Sequence, residues 1–555
     1  MKNFRYIGLT VALALVLNAC DQEVMELKDP EPVVTTPDCP AGATSGDADF
    51  SKFIAIGNSF VAGVQGAALF NSGQANSLAA IVHNQLKCVG APATFNQPNI
   101  NAELGWNLFV TQPFLSDMTK PILGRMLLQY GTTPDCATGT VSPRPTPQAY
   151  AAGNLEAVPN PQANPGFMYS GDKSELNNFA VPAVTIGQFL VPATGNWGNP
   201  DPAAGFSPFY GRFASAPGTS TIINDAIAAD GTFFLFWAGM DDFFLYAAFG
   251  ADEDLAPLTS PNAGMPNGFD YRFGAALTLL LMSNDDLSGV VGNFPDVFKM
   301  PHFTAVAYNP IPLDAVTAGQ LNAGFAGYNT ALDGLIANKE AFGISDDLAA
   351  EIATRKLTFA AGCDNKIMLV DESLADLGDY FDAMLGLSII NADQRAALAP
   401  YEQIRQSTPT DIIPLSTGSI LGTDGTFGKL GVNEPVGDRW VITPAERDEI
   451  NAARTAYNAI VAGVVAANSS RLALADVDGA FNALLASQFA VQNGVTITPN
   501  INPPTGIFSE DGVHPNSRGY AFFANVFIDA INAKFGATIP KAHLGKYQAT
   551  GLPIN

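Results

Sequence analysis

A chain of 555 residues with 27 basic against 52 acidic side chains carries a net charge of −25, which excludes nucleic acid as a partner, since phosphate binding needs a basic footprint. The same excess disfavours anionic lipid head groups as the main contact surface. Only 14% of residues are charged and 47% are apolar, a composition that suits a globular protein with much buried surface.

The N-terminal end reads as an address. Lys2 and Arg5 precede the apolar run Ile7 to Leu17. That run is too short to span a bilayer, which takes about 20 apolar residues. It closes on Leu17-Asn18-Ala19-Cys20, which looks like a bacterial lipobox, with the Cys20 thiol as the acceptor of a diacylglycerol. Residues 1–19 are therefore expected to be a lipoprotein signal peptide. Lipid on Cys20 would then anchor the chain in the cell envelope, and no later segment is long enough to be a transmembrane helix. Residues 20–48, with Pro30, Pro32, Pro37 and Pro40 among acidic and small polar residues, read as a flexible tether. Residues 49–555 show no internal repeat or linker-like break and are expected to form a single monomeric domain with insertions at about 133–176 and 364–440. In an exported chain Cys39, Cys88, Cys136 and Cys363 allow up to two disulfides in three possible connectivities. None belongs to a Cys-x-x-Cys or Cys/His cluster, so no metal site is expected.

Within the domain, Phe53-Ile54-Ala55-Ile56 is a short apolar run ending at Gly57, the pattern of a buried strand and a turn. Leu78 to Leu86 reads as a helix. Residues 133–176 are rich in Pro, Gly, Asn and Thr and lack periodicity, so a long surface insertion is expected. Further strands are predicted at Thr232 to Trp237, Gly289 to Val291 and Leu472 to Leu474. Thr443-Pro444-Ala445-Glu446 has capping-box spacing with proline at the first helical position, and Ile450, Tyr457, Ile460, Val461 and Val464 follow at helical spacing. The last helix runs from about Arg518 to Lys534, with Phe522, Val526 and Phe527 on its apolar side. Short apolar strands alternating with helices imply an α/β fold with a mostly parallel sheet covered on both faces, whose active site forms beyond the carboxyl ends of the strands.

Four segments carry the chemistry. Gly57-Asn58-Ser59-Phe60 places a serine on the turn after a buried strand, where glycine permits a tight turn. Asp511-Gly512-Val513-His514-Pro515 lies just before the last helix. A serine hydroxyl needs a base to take its proton, and the imidazole needs a carboxylate to fix its tautomer. Asp511 and His514, three apart, can supply both from one loop. Gly239-Met240-Asp241-Asp242 and Asn178-Phe179-Ala180-Val181-Pro182-Ala183 could present donors to a developing oxyanion. Phe233, Phe234, Phe236, Trp237, Phe243, Phe244, Tyr246 and Phe249 crowd the third block; most are expected in the core, with one or two after Gly239 lining an acyl pocket.

Taken together and in this order, these segments resemble the SGNH/GDSL hydrolase family. Its pattern is Gly-Asp-Ser-Leu near the N-terminus, a glycine in a second block, Gly-x-Asn-Asp in a third and Asp-x-x-His near the end. The likeness is greater to large SGNH-like bacterial outer-membrane lipoproteins, through Phe53 to Gly63, Phe234 to Ala247, Gly289 to Pro312 and Phe508 to Asn532. The resemblance implies a three-layer α/β/α sandwich of flavodoxin-like type that hydrolyses small acyl esters or lipids through an acyl-enzyme, with no metal or organic cofactor. Ser59 would be the nucleophile, His514 the base and Asp511 its orienting carboxylate; Ser59, Ala183 and Asp241 would form the oxyanion hole. Three positions depart from the pattern: Asn58 replaces an aspartate, Ala183 a glycine and Asp241 the oxyanion-hole asparagine. An ionised carboxylate donates no hydrogen bond, so Asp241 can serve only if burial and Asp242 hold it protonated. The competing reading is an impaired descendant that keeps the pocket to bind a ligand or partner.

Overall fold

In the computed structural model the four apolar runs become neighbouring parallel strands: β1 (Phe53–Gly57), β2 (Phe233–Trp237), β3 (Ser288–Gly292) and β4 (Leu472–Ala475), in the spatial order β1-β2-β3-β4. Phe53 pairs with Phe233, Phe234 with Gly289, and Leu472 with Gly289 on the far side of β3. The structure describes residues 39–107, 122–130, 140–148, 162, 164–201 and 204–552; the signal peptide, Cys20 and residues 20–38 of the tether lie outside them. Thr35–Asn555 form one compact unit. Among the described residues no helix is long and apolar enough to cross a membrane.

Every side chain of β2 is buried, and its rings alternate between two sets of helices. Phe233 meets Phe535 and Trp237 meets Phe523 and Phe527, whereas Phe236 meets Phe273. A strand with apolar side chains on both sides needs cover on both, and each such ring buried stabilises the fold by about 1.5–3 kcal/mol. Five helices supply much of that cover: α1 (Leu78–Leu86), α2 (Asp241–Ala248), α3 (Phe269–Ser283), α4 (Pro444–Ala467) and α5 (Ser517–Phe535). α5 packs on α1, β3 and β4, and α4 on α2, α3, β3 and β4. The capping box opens α4 as its sequence predicts: Glu446 accepts the Thr443 N–H at 2.6 Å, and Thr443 accepts the Glu446 N–H. All eight aromatic residues of the third block are buried in the main core, as most were expected to be. Phe243, for instance, packs against Phe294 and Tyr457.

Three parts of the chain are more ordered than their composition suggests. Residues 39–48, expected as the end of the tether, are docked: Cys39 is disulfide-bonded to Cys88, Asp47 N–H donates to the Phe535 carbonyl at 2.8 Å, and Thr538 N–H to that of Thr44 at 2.9 Å. Cys363 is also disulfide-bonded, and Cys136 lies outside the described residues. Inside the expected 133–176 insertion, Pro143–Gln148 is a strand paired antiparallel with Arg125–Tyr130. Its prolines at 143, 145 and 147 fall on alternate positions, so the missing N–H groups all point the same way, leaving those of Arg144, Thr146 and Gln148 for pairing. The segment 364–440 is likewise built of helices and short strands. It shares two hydrophobic clusters with residues 311–359, one around Leu332, Ile352 and Phe381 and one around Ile367, Leu369 and Ile413.

Candidate active site

The turn after β1 is set by space. Gly57 keeps an ordinary φ, but a Cβ there would lie 2.6 Å from the Trp237 carbonyl of β2 and would strike Val61. The expectation that glycine supplies conformational freedom at this turn is therefore corrected: the residue is small because the chain passes close to its neighbour strand. Asn58 then caps the one-turn helix Ser59–Ala62, its side chain accepting the Phe60 N–H at 3.1 Å. Ser59 thus sits at the carboxyl end of β1 and is 2% exposed.

The second loop comes from the start of α5. Asn516 caps that helix by accepting the Gly519 N–H and donates to the carbonyls of Gly506 and Phe508, which fixes the chain just before it. Gly512 adopts φ +73°, a left-handed turn that folds Asp511 back on His514. Asp511 Oδ1 accepts the N–H groups of Val513 and His514, each at 2.8 Å, and Oδ2 accepts the Ala67 N–H at 2.5 Å. Oδ2 also meets His514 Nδ1 at 2.8 Å, and His514 Nε2 lies 2.9 Å from Ser59 Oγ. Burial opposes the Asp511 charge, but His514 and the backbone donors outweigh it and hold the carboxyl below its usual range. With Asp511 ionised, Nδ1 carries the ring proton and Nε2 is left to accept the serine hydroxyl. The three residues form one continuous hydrogen-bonded chain across 455 positions of sequence.

The other two blocks meet beside it. Residues 177–181 run parallel to β1 on its free edge, Phe179 N–H donating to Ala55 and Val181 N–H to Gly57, each at 2.8 Å. Ala183 follows with φ +55°, a left-handed conformation that costs a non-glycine residue roughly 1–2 kcal/mol. Asp241 opens α2, 2% exposed, with the Asn58 side chain and the Val184 N–H beside its carboxyl, where both favour the charged form. Burial first, and Asp242 second, push its carboxyl well above the ordinary range and favour the neutral acid. Its Oδ2 has no partner among the described residues, and neither do the backbone N–H groups of Ser59 and Ala183. Asp242, pushed up to about 7 by burial, accepts the Ile186 N–H at 2.6 Å and the Thr259 hydroxyl at 2.8 Å. The two carboxyls together clip residues 184–186 onto α2.

Comparison of the chain with protein-family models, curated proteins and solved structures gives no match. The site rests on its own geometry.

That geometry joins Ser59, Asp511 and His514, and it brings the Ala183 and Asp241 blocks beside the residue preceding Ser59. The Asn58–Asp241 contact is absent from any local pattern, since it crosses 183 positions; so is the Ala67 N–H bond to Asp511. Away from this site, carboxylate oxygens of Glu372, Asp438 and Glu446 lie within 4.8 Å of one another and could hold a hard cation. A recess of about 950 Å³ lies on the 311–440 region, lined by Phe325, Tyr328, Met384, Ile389 and Val432 among others.

Proposed function

We propose that the chain is a serine esterase of the SGNH type, lipid-anchored through Cys20, that cleaves small acyl esters or lipids through an acyl-enzyme on Ser59. The Ser59–His514–Asp511 hydrogen-bonded chain carries this reading. His514 Nε2 takes the hydroxyl proton as Ser59 Oγ attacks the acyl carbonyl, and Asp511 stabilises the imidazolium that results. The tetrahedral intermediate collapses as His514 returns that proton to the leaving alcohol. Water then enters by the same base and releases the acid. The resident groups suffice for each step.

The oxyanion hole is assembled from Ser59 N–H, Ala183 N–H and the protonated Asp241. Each has an unengaged polar group among the described residues, and the residues next to Ser59 and Ala183 in the chain, Asn58 and Val184, both act on the Asp241 carboxyl. The proximity of Asn58 and Asp241 makes sense of two departures from the family pattern: aspartate and asparagine have exchanged places across one contact, leaving one amide and one carboxyl. The fold supports the reading too. With residues 177–181 on the edge, the sheet runs second-first-third-fourth-fifth in sequence, the flavodoxin-like order, and the two helix sets on β2 fit a three-layer sandwich.

A fluorophosphonate probe should label the purified protein at Ser59, and hydrolysis of p-nitrophenyl acetate or butyrate should vanish in Ser59→Ala and fall about as far in His514→Ala. Labelling that survives Ser59→Ala places the chemistry elsewhere. A protein inert to every acyl ester and to the probe is better read as a binding protein, for which the recess on the 311–440 region offers a ligand site.

A further inference from the structure

A second histidine stands against the Asp511–His514 turn. His302 belongs to the short helix Pro301–Thr304, which follows β3. Its backbone N–H donates to the Gly512 carbonyl at 3.0 Å, and its ring Nδ1 lies 3.1 Å from the Asp511 carbonyl. Consecutive carbonyls of the turn are thus gripped by one residue. The grip is close: a Cβ on Gly512 would lie 2.6 Å from the His302 nitrogen. A carbonyl accepts only, so Nδ1 must carry the proton and Nε2 must be bare. That Nε2 is buried and has no partner among the described residues. An apolar side chain would spare the fold this orphan nitrogen, whose desolvation is costly. What the imidazole supplies and an apolar ring cannot is the Nδ1–H bond.

We propose that His302 is a positioning residue for the proposed triad, fixing the Asp511–Gly512 peptide and through it the angle at which Asp511 meets His514. This rests on the esterase reading. His302 faces two titratable groups, Asp511 and His514. Burial, with the His514 charge adding to it, outweighs the pull of Asp511 and keeps the ring below the usual histidine range, so it stays neutral while His514 is charged. A neutral donor holds the turn without repelling the imidazolium that the reaction forms.

Two variants separate this role from simple packing. His302→Phe keeps the ring and removes the donor, while the Asn side-chain amide in His302→Asn stands near the position of Nδ1 and restores it. In His302→Phe, kcat on p-nitrophenyl butyrate should fall about ten- to a hundredfold with KM little changed, the scale of loss from a slightly misplaced catalytic group. His302→Asn should recover most of that loss. In parallel, the downfield proton resonance of the His514–Asp511 hydrogen bond should persist in the parent and in His302→Asn and shift or broaden in His302→Phe. Equal kcat and an unchanged resonance in a folded His302→Phe variant would overturn the inference, as would identical losses in both variants. A parent that fails to react with fluorophosphonate sinks the esterase reading instead, and the resonance still decides whether His302 sets the turn.

Discussion

In the proposed esterase, Asp241 is the residue on which activity would be most sensitively poised. Asn58 and Val184 stand beside its carboxyl, whose Oδ2 is unpartnered among the described residues. Replacing it with asparagine keeps an acceptor for both and puts a permanent NH₂ donor where the acid proton stood. Turnover of Asp241→Asn should therefore rise, by up to the roughly hundred- to thousandfold that such a donor is worth, and the loss of turnover expected of the parent as rising pH ionises Asp241 should be absent. The pH dependence has a definite sign. A carboxyl whose folded pKa is raised stabilises the fold fully below its unfolded pKa and less as pH rises through the folded value. Thermal melts of parent and Asp241→Asn should thus diverge with increasing pH, the variant being the more stable; parallel melting curves across that range would show Asp241 ionised throughout. Asn58→Asp alone sets a second carboxyl against Asp241 and should depress turnover, and Asn58→Asp/Asp241→Asn should restore it. The sequence shows that these two residues are unusual, but not that they touch: a contact across 183 positions leaves no trace in local spacing.

At the level of elements, β1 to β4 and the helices α1, α4 and α5 were legible because each carries its own signal, whereas α3 was not. A run such as Phe233–Trp237 is apolar at every position, which only a strand covered on both sides tolerates. Thr443, Pro444 and Glu446 write the start of α4 in capping chemistry. The turns were less legible, because their reasons are tertiary. Gly57 is small because of Trp237 and Val61, and Pro143–Gln148 is a strand because Arg125–Tyr130 lies beside it. Gly512 combines both demands: it has a left-handed φ and no room for a Cβ. Gly512→Ala should cost about 1–2 kcal/mol from the backbone alone, with more from the clash, seen as a lower denaturation midpoint. Because the next-door carboxylate is displaced, residual hydrolysis should fall further than the loss of folded protein accounts for. An alanine variant with parental stability and rate would show the turn to be more pliable than its packing implies.

For the whole molecule, the Cys39–Cys88 disulfide closes a loop of 49 residues that contains β1, Ser59 and α1. Chain entropy alone assigns such a crosslink about 4 kcal/mol. Cys39→Ser/Cys88→Ser should accordingly unfold at lower temperature with little change in the rate per folded molecule, since neither sulfur belongs to the site. An unchanged melting point would mean that the backbone bonds of Thr44 and Asp47 to residues 535–538 hold this end by themselves. Cysteine counting allows this pairing without selecting it, because nothing local relates Cys39 to the end of α1.

The same crosslink decides where mechanical load enters the protein. Tension applied to the chain ahead of Cys39 passes through sulfur into the end of α1 before it can act on β1. Residues 39–88 then cannot be drawn out one by one. With the bond intact, extension from this end stops at the crosslink; once it is reduced, up to 49 residues become available, about 160–180 Å of extended chain at roughly 3.3–3.6 Å each. A protein moored by that end would keep its nucleophile in register under drag so long as its surroundings stay oxidising.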